Sequence, residues 1–224
     1  MLKSCLTILT GVLVSQGAQA AVISINFDTD ALGAPLTIPG FYSSIPSHLT
    51  ELYAPLGVHF SGPNATNGGG IVNQSGNFGV NARSGVNFLA FNVNPGVSYG
   101  DLGHPTDPET ITFDTLMDTV SIYAAGGNNA NTFVMAGFDT GGSLVVSQSV
   151  TTQTFAPLQI SWPLGLRSVR LSVTAPPTND YFVYDDLFAS SVPEPSSALL
   201  LGALSAVGLA RRPFGRLQKR RAAN

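Results

Sequence analysis

Cysteine is nearly missing from this 224-residue chain: the one present, Cys5, lies within the first few residues. Everything beyond it therefore lacks disulfides, Cys-ligated zinc and cysteine nucleophiles. No long apolar segment precedes Cys5, so it does not read as a lipoprotein attachment site. Lysine is almost as scarce, with Lys3 and Lys219 at the two ends and none between. The Lys and Arg total is ten, and six of these crowd the end as Arg211, Arg212, Arg216, Lys219, Arg220 and Arg221. Between Asp28 and Asp186, twelve carboxylates face only Arg83, Arg167 and Arg170, leaving the body with a net charge of −9. Such a body lacks the cations that displace counterions from phosphates, which excludes nucleic-acid binding. Long amphipathic helical patterns are missing. So are a Gly-x-Ser-x-Gly elbow and a phosphate-binding loop, and the tri-glycine at 68–70 has no strand-to-helix context. A catalytic role is not expected.

The two ends read as addresses. Residues 1–20 carry one early charge, Lys3, then an apolar run over 6–14, and close on Ala18-Gln19-Ala20. This is the small-x-small pattern of a secretory signal, cut by signal peptidase so that Ala21 becomes the first mature residue. The run is too short to span a bilayer.

Residues 21–191 have the size of one domain. Strand signals recur over 21–27, 57–61, 86–92, 109–113, 120–124 and 167–174. In the last, Val169, Leu171 and Val173 alternate with Ser168, Arg170 and Ser172; period-two alternation marks a half-buried strand. Asp139-Thr140-Gly141-Gly142 joins two such runs as a hairpin loop. The Gly/Asn-rich stretch 61–81 and residues 99–108 read as surface loops. Eight to ten strands are expected, all-β and antiparallel, in a sandwich of jelly-roll type.

The most specific pattern is Val192-Pro193-Glu194-Pro195, then the apolar run 196–210, then Arg211-Arg212. Two prolines flanking one residue forbid helix and leave an extended segment that an enzyme can grip. Fifteen helical residues reach about 22 Å, and the basic cluster at 211–221 suits a cytoplasmic membrane face. This predicts one C-terminal transmembrane helix with the body held outside, the same topology the leader demands. Within the tail 192–224, residues 192 to about 212 closely resemble the PEP-CTERM sorting domain, also known as an ice-binding protein C-terminal domain; the twelve residues past Arg212 make this tail longer than many in the family. The resemblance implies an exported protein processed near Pro193-Glu194-Pro195 by an exosortase. The body would sit in the periplasm before reaching the cell surface or an exopolysaccharide matrix. An ice-binding role is not expected, because no regular Thr-x-Thr ladder is present.

The closing Tyr184-Asp185-Asp186-Leu187 is similar to the final strand of jelly-roll carbohydrate-binding modules. That resemblance implies structural calcium, which on this chain falls on Asp28, Asp30, Asp185 and Asp186. Calcium takes six to eight oxygens, and neighbouring terminal strands could bring these carboxylates together. Asp101, His104, Asp107 and Glu109 read as a polar loop. His48, His59 and His104 lack zinc spacing, and His59 reads as packed in its strand. Trp162 is assigned to the core. The expected function is a non-enzymatic structural or adhesive surface protein. The alternatives are a carbohydrate-binding module with structural calcium or, third, a secreted hydrolase.

Overall fold

Apolar alternation becomes strand throughout a computed structural model that describes residues 20–40, 49, 51–61, 69–90, 109–174 and 182–191. All of these belong to one unit, Ala20–Val192. The leader before Ala20, the stretch 99–108 read as a loop, and the tail 192–224, where a transmembrane helix is expected over 196–210, lie outside the described residues. Among the described residues, no helix is long and apolar enough to cross a membrane.

Nine strands are described: β1 (Val22–Ile25), β2 (Val58–Ser61), β3 (Gly70–Asn73), β4 (Asn87–Ala90), β5 (Glu109–Ala125), β6 (Asn131–Phe138), β7 (Leu144–Thr152), β8 (Ala156–Thr174) and β9 (Val183–Ser191). Among the described residues, two three-residue 3-10 turns, Ala54–Leu56 and Gln74–Gly76, interrupt them. Every strand pairing is antiparallel, in the order β3-β4-β9-β5-β8-β6-β7, with β1 on β9 and β2 on β5. An all-β antiparallel protein is what the residue pattern predicts.

The long strands β5 and β8 shape the core. Residues 109–113 and 120–124 read as separate strands in the sequence, yet they are two halves of β5. The register between β5 and β8 shifts on both sides of Met117, so the pair bends there. Ile111 and Phe113 before the bend share one cluster with Val120 and Ile122 after it. Two strands separate β6 from β9 in the sheet, but the Phe133 and Tyr184 rings meet edge to face at 5.4 Å. The halves of the sheet therefore face each other across the core, broadly as in a sandwich. Gly137 on β6 permits the approach: a Cβ there would lie 2.8 Å from both Ile160 Cδ1 and Leu166 Cδ2. At the other end, Phe27, Tyr53 and Phe60 pack with centroids 6.0–6.4 Å apart. Full burial of such a side chain contributes about 1.5–3 kcal/mol.

The hairpin at 139–142 forms as expected, with Asp139 Oδ1 accepting the Gly141 and Ser143 amides, both at 2.9 Å. Trp162, assigned to the core, is half-buried at its margin and packs against it. The stretch 61–81 departs from its reading as a loop. It contains β3, whose Ile71 enters the main core while Val72, with Phe78 and Phe88, forms a second small core on the opposite face. Burial on both faces leaves no alternation to read.

Candidate functional site

The site begins with the neighbouring terminal strands. β1 lies against β9 in the register Val22↔Ser190 to Ile25↔Leu187. Beyond β1, Phe27 adopts a left-handed backbone (φ 61°), as does Asp186 on β9 (φ 50°). Such angles are unfavourable for a bulky residue and persist only where surroundings over-determine them. The buried Phe27 ring is clamped by Tyr53 and Phe60, while Asn87 Nδ2 donates to its carbonyl at 3.3 Å.

Of the four predicted calcium residues, the structure brings three together around residues 83–87. Asp28 Oδ1 accepts the Val86 and Asn87 amides at 2.9 and 3.2 Å. Asp185 Oδ2 accepts the Arg83 and Ser84 amides at 2.8 and 3.1 Å. Asp186 accepts the Ser84 hydroxyl at 2.6 Å and pairs with the Arg83 guanidinium. Asp30 stays apart, capping its own turn by accepting the Leu32 and Ala34 amides at 2.8 Å. Gly85, at the centre of the loop, has φ +50°, and a Cβ there would overlap the Asp28 carboxylate.

Burial pushes the Asp185 carboxyl up to about 7, aided by the Asp186 charge and opposed by its amide donors. Asp28 Oδ2 is buried without a hydrogen-bond partner, whereas the other carboxylate oxygens named here accept protein donors. Among the described residues, no three His, Cys, Asp or Glu side chains are placed together to hold a metal ion. The three aspartates form a latch that fastens 83–87 across both terminal strands.

Beside the latch, the outer face of the β9–β5–β8 half is open. The Arg83 guanidinium lies 3.6 Å from the Tyr123 ring centroid. Phe188 is 38% exposed and stands in one row with Ser121 and Gln159. Neither Arg83 nor Phe188 carries a motif that could announce this in the sequence; only the register places them together.

Two readings are corrected. His59 faces outward, its Nδ1 2.7 Å from Glu51 and its Nε2 3.3 Å from Asp114. The Glu51 hydrogen bond leads in raising its pKa. Glu109 is not part of a polar loop: it opens β5 on the inward face, 1% exposed, and neither carboxylate oxygen has a hydrogen-bond partner. Burial raises it to about 8. Asp101, His104 and Asp107 lie outside the described residues, as does His48.

The last described residue of β9, Ser191, is where the tail departs. Its amide donates to the Ala21 carbonyl and its Oγ accepts the Ala21 amide, each at 2.8 Å. Ala21, expected at signal cleavage, and Ser191, which directly precedes the expected start of the tail at Val192, are thus direct partners. Val192, Pro193, Glu194, Pro195, Arg211 and Arg212 lie beyond the description, as does Ala18.

The fold defines an antiparallel all-β protein. The tail defines the rest: the PEP-CTERM protein-sorting motif matches residues 191–216, so this is a PEP-CTERM sorting domain-containing protein, exported and sorted in association with a membrane. No curated protein matches the sequence. Three solved structures are similar at low identity. The K2 cleaved adhesin domain of Lys-gingipain is 12% identical, over 75% of this chain and 99% of that one, with a TM-score of 0.45. TmCBM61, in complex with β-1,4-galactotriose, is 16% identical over 64% and 97%, at 0.40. The K3 cleaved adhesin domain of Lys-gingipain from Porphyromonas gingivalis w83 is 9% identical over 49% and 75%, at 0.33. Likeness of this extent decides neither a fold family nor a ligand.

Proposed function

We propose that this chain is a non-enzymatic structural or adhesive component of the cell surface or exopolysaccharide matrix. Its jelly-roll-type body, residues 21–191, is delivered by the leader. A helix over 196–210 holds it in the inner membrane until an exosortase-type enzyme acts near Pro193-Glu194-Pro195. One observation carries the reading: the sorting motif starts at Ser191, where β9 ends, so the folded body is complete along the chain before the motif begins. Replacing Pro193, Glu194 and Pro195 by alanine tests it through the mass and location of the protein in its own host.

A second reading, carbohydrate binding with structural calcium, is favoured by two features. Phe188 and the Arg83–Tyr123 stack offer ring faces beside the side chains of Ser121 and Gln159. Sugar rings stack on such aromatic faces, and a body with net charge −9 suits a neutral glycan over an anionic one. Retardation in gels containing a neutral polysaccharide, lost in Phe188→Ala, supports this reading; no retardation of the wild type removes it. For calcium, the supporting feature is Asp28 Oδ2, buried and without a partner beside Asp185 and Asp186. The ion would have to draw these carboxylates away from their amide donors. A calcium-dependent rise in Tm that disappears in Asp28→Asn is the expected signature, and identical Tm with calcium and with chelator refutes it.

A further inference from the structure

Signal cleavage changes one atom of the β1–β9 junction. In the precursor, the nitrogen of Ala21 is an amide donating to Ser191 Oγ at 2.8 Å. Once Ala20 is removed, the same nitrogen is an α-ammonium with three protons and a full charge. Its surroundings suit that charge. Ser191 is only 8% exposed, so its hydroxyl is held rather than free in solvent. The backbone bond from the Ser191 amide to the Ala21 carbonyl, 2.8 Å, fixes the two residues in register. On the next strand, β5, the one titratable group near the junction among the described residues is Asp118. Its carboxylate accepts the hydroxyl of Ser190, the neighbour of Ser191. β1 itself contributes no charged side chain.

We propose that Ser191 is the docking site for the α-ammonium that signal cleavage creates at Ala21. Maturation at the N-terminus thereby tightens the residue from which the sorting tail departs. This rests on the export reading above, in which the leader is cut after Ala20. A charge-assisted bond is about twice as strong as the neutral one it replaces. Removal of the leader therefore strengthens the closure of β1 on β9 at the first position of the matched sorting motif. The precursor can complete the same pairing with the leader attached, since an amide already satisfies Ser191. Cleavage changes the strength of the contact and not its geometry.

The scarcity of lysine makes a direct test possible. With Lys3 lost with the leader and Lys219 lost with the sorting tail, the Ala21 α-amine is the one primary amine left in the mature chain. The mature protein, purified from its exporting host, is labelled by reductive methylation at pH 7 and digested, and the N-terminal peptide is quantified by mass spectrometry. An α-amine ordinarily titrates near 7.7–8.0, and a docked ammonium resists losing its proton. Labelling of Ala21 in the wild type is expected to be on the order of tenfold slower than in a free Ala-Val-Ile peptide. Ser191→Ala should recover most of that rate, while Ser191→Thr, which keeps the hydroxyl, stays slow. Free Ala-Val-Ile peptide added to each sample labels equally in all three and serves as the internal control. Wild type and Ser191→Ala labelling at the peptide's rate overturn the docking proposal. Edman sequencing of the same sample separates the two failures: a first residue other than Ala21 overturns the cleavage reading and the proposal with it.

Discussion

Replacing Glu109 by Gln should stabilise this protein at neutral pH and leave it nearly unchanged in mild acid. The carboxyl is 1% exposed, both of its oxygens lack a partner, and burial raises its pKa from 4.5 to about 8. The sign follows from proton counting. Between these two values the unfolded chain has released a proton that the folded chain still holds. Folding therefore loses stability as pH rises from 4.5 to about 8 and is constant above that. Each pH unit in the window costs about 1.4 kcal/mol. Between pH 5 and pH 7 the wild type should lose about 2.5 kcal/mol through this group alone. Glutamine has nearly the same shape and does not titrate, so the difference between variant and wild type isolates Glu109 from every other group. Urea unfolding at the two pH values, followed through the fluorescence of Trp162, gives that difference. Trp162 is the sole tryptophan and packs against the core. A variant-minus-wild-type difference that is the same at pH 5 and pH 7 would refute the reasoning, because it would mean Glu109 is ionised or solvated in the folded state.

Other perturbations address the latch, the core and the open face. Gly85→Ala adds a Cβ where the Asp28 carboxylate sits and where the backbone is left-handed; a loss of about 1–3 kcal/mol in urea unfolding is expected. Phe133→Ala removes a fully buried ring that meets Tyr184 across the core. It should cost about 3–5 kcal/mol in the same assay. Phe188→Ala, at a position 38% exposed, should leave stability within about 0.5 kcal/mol, so any change in glycan retardation reports on binding and not on folding.

How much of this the sequence discloses depends on whether a residue's partner lies nearby along the chain. The Val169-Leu171 alternation and the Asp139–Gly142 turn are local, and both appear as read. The bend in β5 is not local: residues 114–119 look like a break between two strands, and only pairing with β8 and β9 keeps them in one. Glu109 was legible in principle. It stands two residues ahead of Ile111 and four ahead of Phe113, in phase with the inward face, but its charge argued for solvent. His59 fails for the opposite reason, since the inward residues of β2 are Val58 and Phe60. The convergence of Asp28 with Asp185 and Asp186 required β1 to pair with β9. The site follows from that pairing, whereas the loop that fills it, residues 83–85 ahead of the strand signal at 86–92, has no sequence signal. The tail is the reverse case: its prolines, apolar run and arginines form one contiguous pattern and are readable without any fold.

The most direct test of the account is the intact mass and fractionation of the protein in its own host, alongside a variant with Pro193, Glu194 and Pro195 changed to alanine. The account predicts a surface or extracellular wild-type species that begins at Ala21 and lacks roughly the last 30 residues, with the variant retained at full tail length in the membrane. Wild type and variant both keeping the whole tail in the inner membrane would contradict it, because residues 192–224 would then be an anchor and not a sorting signal.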